Sequence, residues 1–340
     1  MPIKVLIVDD SLIFREVIAK GVSSDPQIQV VAKAVDPFDA RDKILQFRPD
    51  VITCDIEMPK MDGIEFIRRL MPQYPLPIIV ISSVSNRVFD AMEAGAVDFV
   101  TKPSIDVANS VESFIYEVID KIKSSVGAKI VVGDLVKAKE KKVLVSDVKQ
   151  YMKHEMIAIG ASTGGTEAIF SVLKQLPKEM PGIVIVQHIP PVFSKMFAER
   201  LNSQTHFQVK EAEDGDRILP GHVYLAPGDQ HMEIMKQGTQ YKTKVFKGEK
   251  VNGHCPSVDV LFNSVSNVLK DRALGIILTG MGYDGARGLG KMKRKGAVTL
   301  GQDEKSSVVY GMPKAAFELG AVVKQVPLNQ MGQNIVRLLR

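Results

Sequence analysis

The sequence predicts an α/β protein made of two doubly wound parallel-sheet domains in tandem. Short β-branched runs alternate with amphipathic segments over residues 3–103, and after a break a second alternation runs on toward the C-terminus. At 340 residues the chain is long enough for about two domains. Carboxylates, hydroxyls and a histidine recur at the ends of the apolar runs, where an open parallel sheet builds its sites.

In the first alternation, strands are expected at residues 4–8, 29–34, 51–54, 78–82 and 98–100, with helical segments at 12–23 and 37–47. Val107, Val111, Ile115, Val118, Ile119 and Ile122 recur at helical spacing and predict a last helix over 104–124. Periodicity then fades. The Lys-rich "KAKEKKVLVSDVKQ" reads as part of a linker over 125–153, with a helix extension or a strand around Val143 to Val145 as alternatives. The second alternation predicts strands at 156–160, 183–187, 222–226, 231–236, 273–279 and 297–302. Its helices are expected at 166–176, 191–202, 257–268 and 285–295. No internal repeat or low-complexity tract accompanies this shared pattern.

Composition narrows the function. Apolar residues at 45% and charged residues at 24% are those of an ordinary globular protein. The net charge is only +5, Trp is absent, and no basic stripe interleaved with aromatics appears, which leaves nucleic-acid binding little support. Runs such as "PIIVISSV" fall far short of the ~20 residues of a membrane helix. The start reaches Asp9 and Asp10 too soon for a secretory signal, and the two cysteines, Cys54 and Cys255, suit a reducing cytosol. A cytoplasmic location is expected.

Asp9 and Asp10 follow one predicted strand and Asp55 another, while Ser82 ends the next and Lys102 follows the last. Three carboxylates at one sheet edge repel unless a cation joins them, and oxygen ligands suit Mg²⁺. A hydroxyl and an ammonium beside Asp55 could hold an added phosphoryl group. Each residue alone has a plainer reading: Asp9 or Asp10 as helix caps, Ser82 as a turn residue, Lys102 as a solvated lysine.

In the second half, "GASTG" satisfies G-x-S-x-G around Ser162. Ser162 is read as a nucleophile, as part of a phosphate loop, or as a turn residue with Ser162 or Thr163 capping a helix. A phosphate loop fits poorly, lacking the glycine or Gly-Lys-Ser/Thr it needs. A nucleophile needs a base and an orienting group. His188 ends the next strand and Asp284 follows another, both at carboxyl ends of the same α/β unit. His254 beside Cys255 is a weaker Cys–His alternative, and His206, His222 and His231 read as strand or loop histidines. No HExxH or CxxC pattern points to zinc.

"VLIVDDS", "DVITCDIEMPKMDG", "VISS" and "DFVTKP" resemble the receiver domain of response regulators, over residues 1–124. The resemblance implies a flavodoxin-like fold with Asp55 as phosphoacceptor. It implies Mg²⁺ held by Asp9, Asp10, Asp55 and the Glu57 backbone carbonyl. Ser82 and Phe99 become switch residues, Lys102 the phosphate-pairing lysine, and Lys102–Pro103 a cis bond. On periodicity alone Phe99 reads equally as a core residue.

"IGASTGGTEA", "VIVQHIP", "APGDQHM", "GHCPSVDVLF", "GIILTGMGYDGARGL" and "VYGMPKAA" resemble the catalytic domain of the chemotaxis protein-glutamate methylesterase family, CheB, over residues 154–340. That implies a Rossmann-like domain with Ser162 as nucleophile, His188 as general base and Asp284 as the group orienting it. The Met281 backbone N–H is the implied oxyanion donor, and Thr163 assists. The implied activity is phosphorylation-activated hydrolysis of glutamate γ-methyl esters on chemoreceptor helices, with glutamine deamidation as a second activity. Partners are methyl-accepting chemoreceptors as substrate and a chemotaxis sensor histidine kinase as phosphodonor; no cofactor enters ester hydrolysis, and a monomer is expected. Arg200 or Arg287 could meet acidic receptor helices, although each alone reads as a solvated or ion-paired residue. The alternative is a non-enzymatic binding module controlled by the receiver, with Ser162, His188 and Asp284 as turn caps.

Overall fold

The computed structural model describes residues 1–83, 87–103, 108–129 and 154–339. The chain divides into two compact units, Met1–Val132 and Gly133–Arg340. Most of the expected linker, the alternative strand around Val143 to Val145, and residues 104–107 of the expected last helix lie outside the described residues.

The first unit runs β1 (Ile3–Val8), α1 (Leu12–Val22), β2 (Ile28–Ala34), α2 (Pro37–Phe47), β3 (Val51–Asp55), α3 (Gly63–Leu70), β4 (Ile78–Ser82), α4 (Arg87–Glu93), β5 (Asp98–Thr101) and α5 (Ala108–Ser125). Its five strands are all parallel in the order β2-β1-β3-β4-β5, the flavodoxin-like order, whose switch point lies between β1 and β3. Every residue of β3 and β4 is buried. That is why these strands read as continuous apolar runs rather than alternating ones. Helix α2 starts where expected because Asp36 accepts the Phe38 and Asp39 N–H groups and Pro37 supplies a preset first turn.

The second unit runs β6 (Met156–Ala161), α6 (Gly165–Gln175), β7 (Gly182–Gln187), α7 (Pro191–Gln204), β8 (Gln208–Glu211), β9 (His222–Leu225), β10 (His231–Gln237), β11 (Gln240–Phe246), α8 (Val258–Val268), β12 (Ala273–Ile277), α9 (Ala286–Arg294), β13 (Val298–Gln302), α10 (Met312–Glu318), β14 (Lys324–Val326) and α11 (Leu328–Leu339). Seven strands form one parallel sheet in the order β14-β13-β12-β6-β7-β9-β8. The chain builds outward from β6 through β7, then returns to place β12 on its other side. The crevice at this reversal, beside the carboxyl end of β6, is where such a sheet binds ligands.

One expected strand belongs elsewhere. Residues 231–236 do not join the parallel sheet: β10 pairs antiparallel with β11 as a separate hairpin. Its two-residue turn places Gly238 at φ 62, which a hairpin of this length favours at a glycine. Helix α8 buries Val258, Leu261, Phe262 and Val265 completely and packs on β10 and β6. This burial delivers the N-terminus of α8 to the crevice. Among the described residues, no helix is long and apolar enough to cross a membrane.

Candidate active site

Strand register brings the expected residues together. Ala161 of β6 is level with Gln187 of β7, so Ser162 and His188 each lie one residue beyond a paired position. The His188 N–H donates to the Ala161 carbonyl at 3.1 Å, and the Ser162 N–H donates across to Thr279 O at 3.0 Å. The Gln187 side-chain amide donates to the carbonyls of Ser162 (2.9 Å) and His188 (3.1 Å), tying the two strand ends. Beyond Ser162 the chain turns sharply, with Gly164 at φ 74 and the Gly165 N–H on the Ser162 carbonyl at 2.6 Å. A side chain at 164 would be strained and would meet Val308 at 2.7 Å. Helix α6 begins with no side-chain cap, so Ser162 and Thr163 are not caps.

His188 Nε2 lies 3.0 Å from Asp284 Oδ2, with both side chains almost wholly buried. Asp284 sits at the N-terminus of α8. Its Oδ2 accepts the Val258 N–H at 2.7 Å, and its Oδ1 accepts Ser257 Oγ (2.8 Å), Asn252 Nδ2 (2.8 Å) and the Asp259 N–H (3.2 Å). Burial alone would raise the Asp284 pKa, but His188, Asn252 and Ser257 hold it well below the usual carboxylate range. An ionised Asp284 is acceptor-only, so Nε2 of the neutral ring carries the proton and Nδ1 the lone pair. Nδ1 is buried without a hydrogen-bond partner among the described residues. The nitrogen facing the carboxylate is thus Nε2, whereas the serine-protease triad turns Nδ1 to its aspartate. The Met281 N–H makes no hydrogen bond among the described residues, and the Thr163 carbonyl accepts Thr279 Oγ1 at 3.0 Å.

In the first unit four of the five expected residues also converge. Asp9, Asp10 and Asp55 bring carboxylate oxygens within 4.8 Å of one another. Lys102 Nζ lies 2.6 Å from Asp55 Oδ2 and 2.9 Å from Asp9 Oδ2, above the Phe14 ring. Burial raises the Asp55 pKa, and Lys102 only partly offsets it. Three hard oxygen donors with a single ammonium among them fit Mg²⁺. Helix α1 is capped by Ser11, not by Asp9 or Asp10. Asp55 Oδ1 accepts the Glu57 N–H at 3.2 Å. Ser82 is buried, with its hydroxyl on the Ser83 carbonyl at 2.9 Å. Phe99 is buried edge-on to Phe89.

A model of the CheB methylesterase family matches residues 157–335, just over half of the chain, and one of the response regulator receiver domain matches residues 5–111. The chain belongs to the CheB methylesterase family. It is an ester hydrolase joined to a receiver domain. A protein-glutamate methylesterase/protein-glutamine glutaminase of Syntrophomonas wolfei is 54% identical over 99% of this chain and 98% of its own length. One from Sulfurimonas denitrificans is 46% identical over 100% and 99%. The crystal structure of the Thermotoga maritima CheB methylesterase catalytic domain covers 54% of this chain and 98% of its own, with TM-score 0.53 and 37% identity.

One expectation from the receiver-domain resemblance is corrected. The cis peptide bond among the described residues is Cys255–Pro256, and Lys102–Pro103 is not cis. The X-Pro preference for trans is only about 0.5–1 kcal/mol, and Lys102 reaches Asp55 and Asp9 without the switch. Arg200 is an ion-paired structural residue, 2.6 Å from Glu167, whereas Arg287 is exposed. The Cys255 thiol is pushed up by burial and Asp229, the wrong direction for a nucleophilic thiolate.

Sequence reasoning missed Gln187, Asn252, Ser257 and the packing of His254 on His188, whose ring centroids are 3.7 Å apart at 13°. An Asn-Gly pair at 252–253, both at positive φ, was the available sign of a tight type I′ turn. Gly280 is a further dependence. A Cβ there would lie 2.7 Å from Ser162 Cβ and 3.0 Å from Ser162 N. Gly280→Ala is expected to displace the serine and lower kcat by about 10²-fold. Steady-state kinetics of the folded variant check this.

Proposed function

We propose that the chain hydrolyses γ-glutamyl methyl esters on cytoplasmic helices of methyl-accepting chemoreceptors, through Ser162, His188 and Asp284, under control of Asp55 phosphorylation. One observation carries the reading: His188 holds Asp284 with Nε2 while its buried Nδ1, without a partner, sits one strand from Ser162. Nδ1 takes the Ser162 Oγ proton as the oxygen attacks the ester carbonyl. The Met281 N–H, assisted from the Thr163 turn, stabilises the oxyanion. Methanol leaves with the proton from His188. Water, deprotonated by His188, then cleaves the acyl-serine to free glutamate and Ser162. A carboxamide passes through the same intermediate with ammonia as the leaving group, so glutamine deamidation follows as a second activity. Ester hydrolysis draws on no cofactor.

In the receiver, spanning residues 1–124, Asp55 accepts a phosphoryl group from a chemotaxis sensor histidine kinase. Asp9, Asp10 and Asp55, with the Glu57 backbone carbonyl, would hold Mg²⁺, which supplies charge neutralisation for phosphoryl transfer. Lys102 pairs with the new phosphoryl oxygens, and Ser82 and Phe99 respond to them. Residues 125–153 link this domain to the catalytic domain, 154–340. The protein acts in the cytoplasm as a monomer. Phosphorylation biases an equilibrium between covered and open catalytic sites.

The reading is tested by methanol release from methylated receptor, with and without a small-molecule phosphodonor and Mg²⁺. Release is expected to rise with the donor in the wild type and to stay at the basal rate in Asp55→Asn. An equal rise in Asp55→Asn would remove the receiver from the account. Absence of release under both conditions would remove the esterase assignment for this substrate.

A further inference from the structure

We propose that His254 is a positioning residue for ester hydrolysis, a flat ring that fixes the plane of His188 so that Nδ1 meets Ser162. The proposal rests on the Ser162–His188–Asp284 reading above. His188 is held in its plane by one side-chain hydrogen bond, Nε2 to Asp284. The ring turns only about its Cα–Cβ and Cβ–Cγ bonds; the Asp284 hydrogen bond resists that turning at one nitrogen, and Nδ1, without a partner among the described residues, adds no hydrogen-bond restraint. The His254 ring covers one face of His188 at 3.7 Å between centroids and 13° between planes. Face contact removes the remaining rotation while leaving the ring edge, and hence Nδ1, open to the serine.

The contact is built rather than incidental. Val251 and His254 exchange both backbone hydrogen bonds at 3.0 Å across the Asn252-Gly253 turn. Asn252 and Gly253 have φ 54 and 84, so His254 leaves the turn in one direction. Asn252 Nδ2 donates to both Asp284 Oδ1 and Asp259 Oδ2 at 2.8 Å, locking the turn to the carboxylate that holds His188. Buried His231 fastens both ends of the loop, through Nε2 to the Glu249 carbonyl (2.9 Å) and Nδ1 from the Ser257 N–H (3.2 Å). The same short loop therefore grips Asp284 at one residue and covers His188 at another.

The test compares His254→Ala, His254→Leu and His254→Phe in the full chain, by kcat, KM and melting temperature. His254→Ala is expected to lower kcat about tenfold with KM unchanged. His254→Leu, which keeps bulk but not a flat face, should resemble it, and His254→Phe should recover most of the rate. Wild-type kcat in His254→Ala or His254→Leu would overturn the proposal. So would a His254→Phe enzyme that melts normally but is as slow as the others. Should His254→Ala fail to fold, the Leu against Phe comparison decides alone. His188→Ala at the wild-type rate would instead defeat the triad reading, whatever the His254 variants do.

Discussion

Ser162→Ala is expected to lower the rate of methyl ester hydrolysis by at least about 10³-fold while leaving the fold unchanged. Ser162 is buried, but its backbone makes the structural contacts: N–H to Thr279, carbonyl to Gly165 and Gln187. Removing the hydroxyl therefore takes away the reacting oxygen and little else. What survives should be the rate supplied by binding and by the oxyanion donors. Melting temperature and phosphodonor uptake at Asp55 should match the wild type. A variant that loses esterase activity together with its melting transition would not count in favour of a nucleophile.

Asp284→Asn is expected to lower kcat by about 10⁴-fold and, unlike Ser162→Ala, to cost stability. The two carboxylate oxygens both face donors: His188 Nε2 and the Val258 N–H on one side, Ser257, Asn252 and the Asp259 N–H on the other. An amide must turn its NH₂ toward one of these sets. A buried donor left facing a donor costs about 1–3 kcal/mol. The acid side of the stability curve should change as well. The folded pKa of Asp284 lies below its unfolded value of 3.8, so its charge stabilises the fold fully above that pH. That contribution is lost as pH falls from there toward the folded pKa. The Asn variant should accordingly show a shallower acid loss, measured by thermal melts between pH 5 and 2.5, roughly the window in which a depressed carboxylate titrates.

The sequence made the strand ends legible because these strands are short, β-branched and buried on both faces. Runs such as "VLIV", "IIVIS" and "IVIVQ" leave little choice of boundary, and the residue after each run falls at the sheet edge by necessity. Ser162, His188, Asp9, Asp55 and Lys102 are therefore put at the sheet edge by position, Asp284 lies seven residues past its strand, and their roles come from the resemblance. Strands β8, β11 and β14 escaped notice for the opposite reason. They are short or half-exposed, and "QYKTKVF" carries too many polar residues to stand out.

The unread part of the candidate site lies across chain distance. Asn252, His254 and Ser257 sit on a loop whose path is set by the β10–β11 hairpin and by the burial of α8. Nothing near Asp284 in sequence points to residues some thirty positions earlier. Which imidazole nitrogen faces Asp284 is likewise a matter of ring orientation, which no motif records. Lys102–Pro103 shows the converse. The resemblance carried a backbone isomer to a position where the ion pairs with Asp55 and Asp9 form without it.

The most direct test of Ser162 as nucleophile is mass spectrometry of the peptide carrying it. The full chain would be acid-quenched during the first turnovers with an activated aryl ester of a blocked glutamate side chain. The account predicts a glutamyl adduct on Ser162 that is absent from Ser162→Ala and strongly diminished in His188→Ala. Turnover with no adduct on Ser162, or with the adduct on another residue, would contradict it.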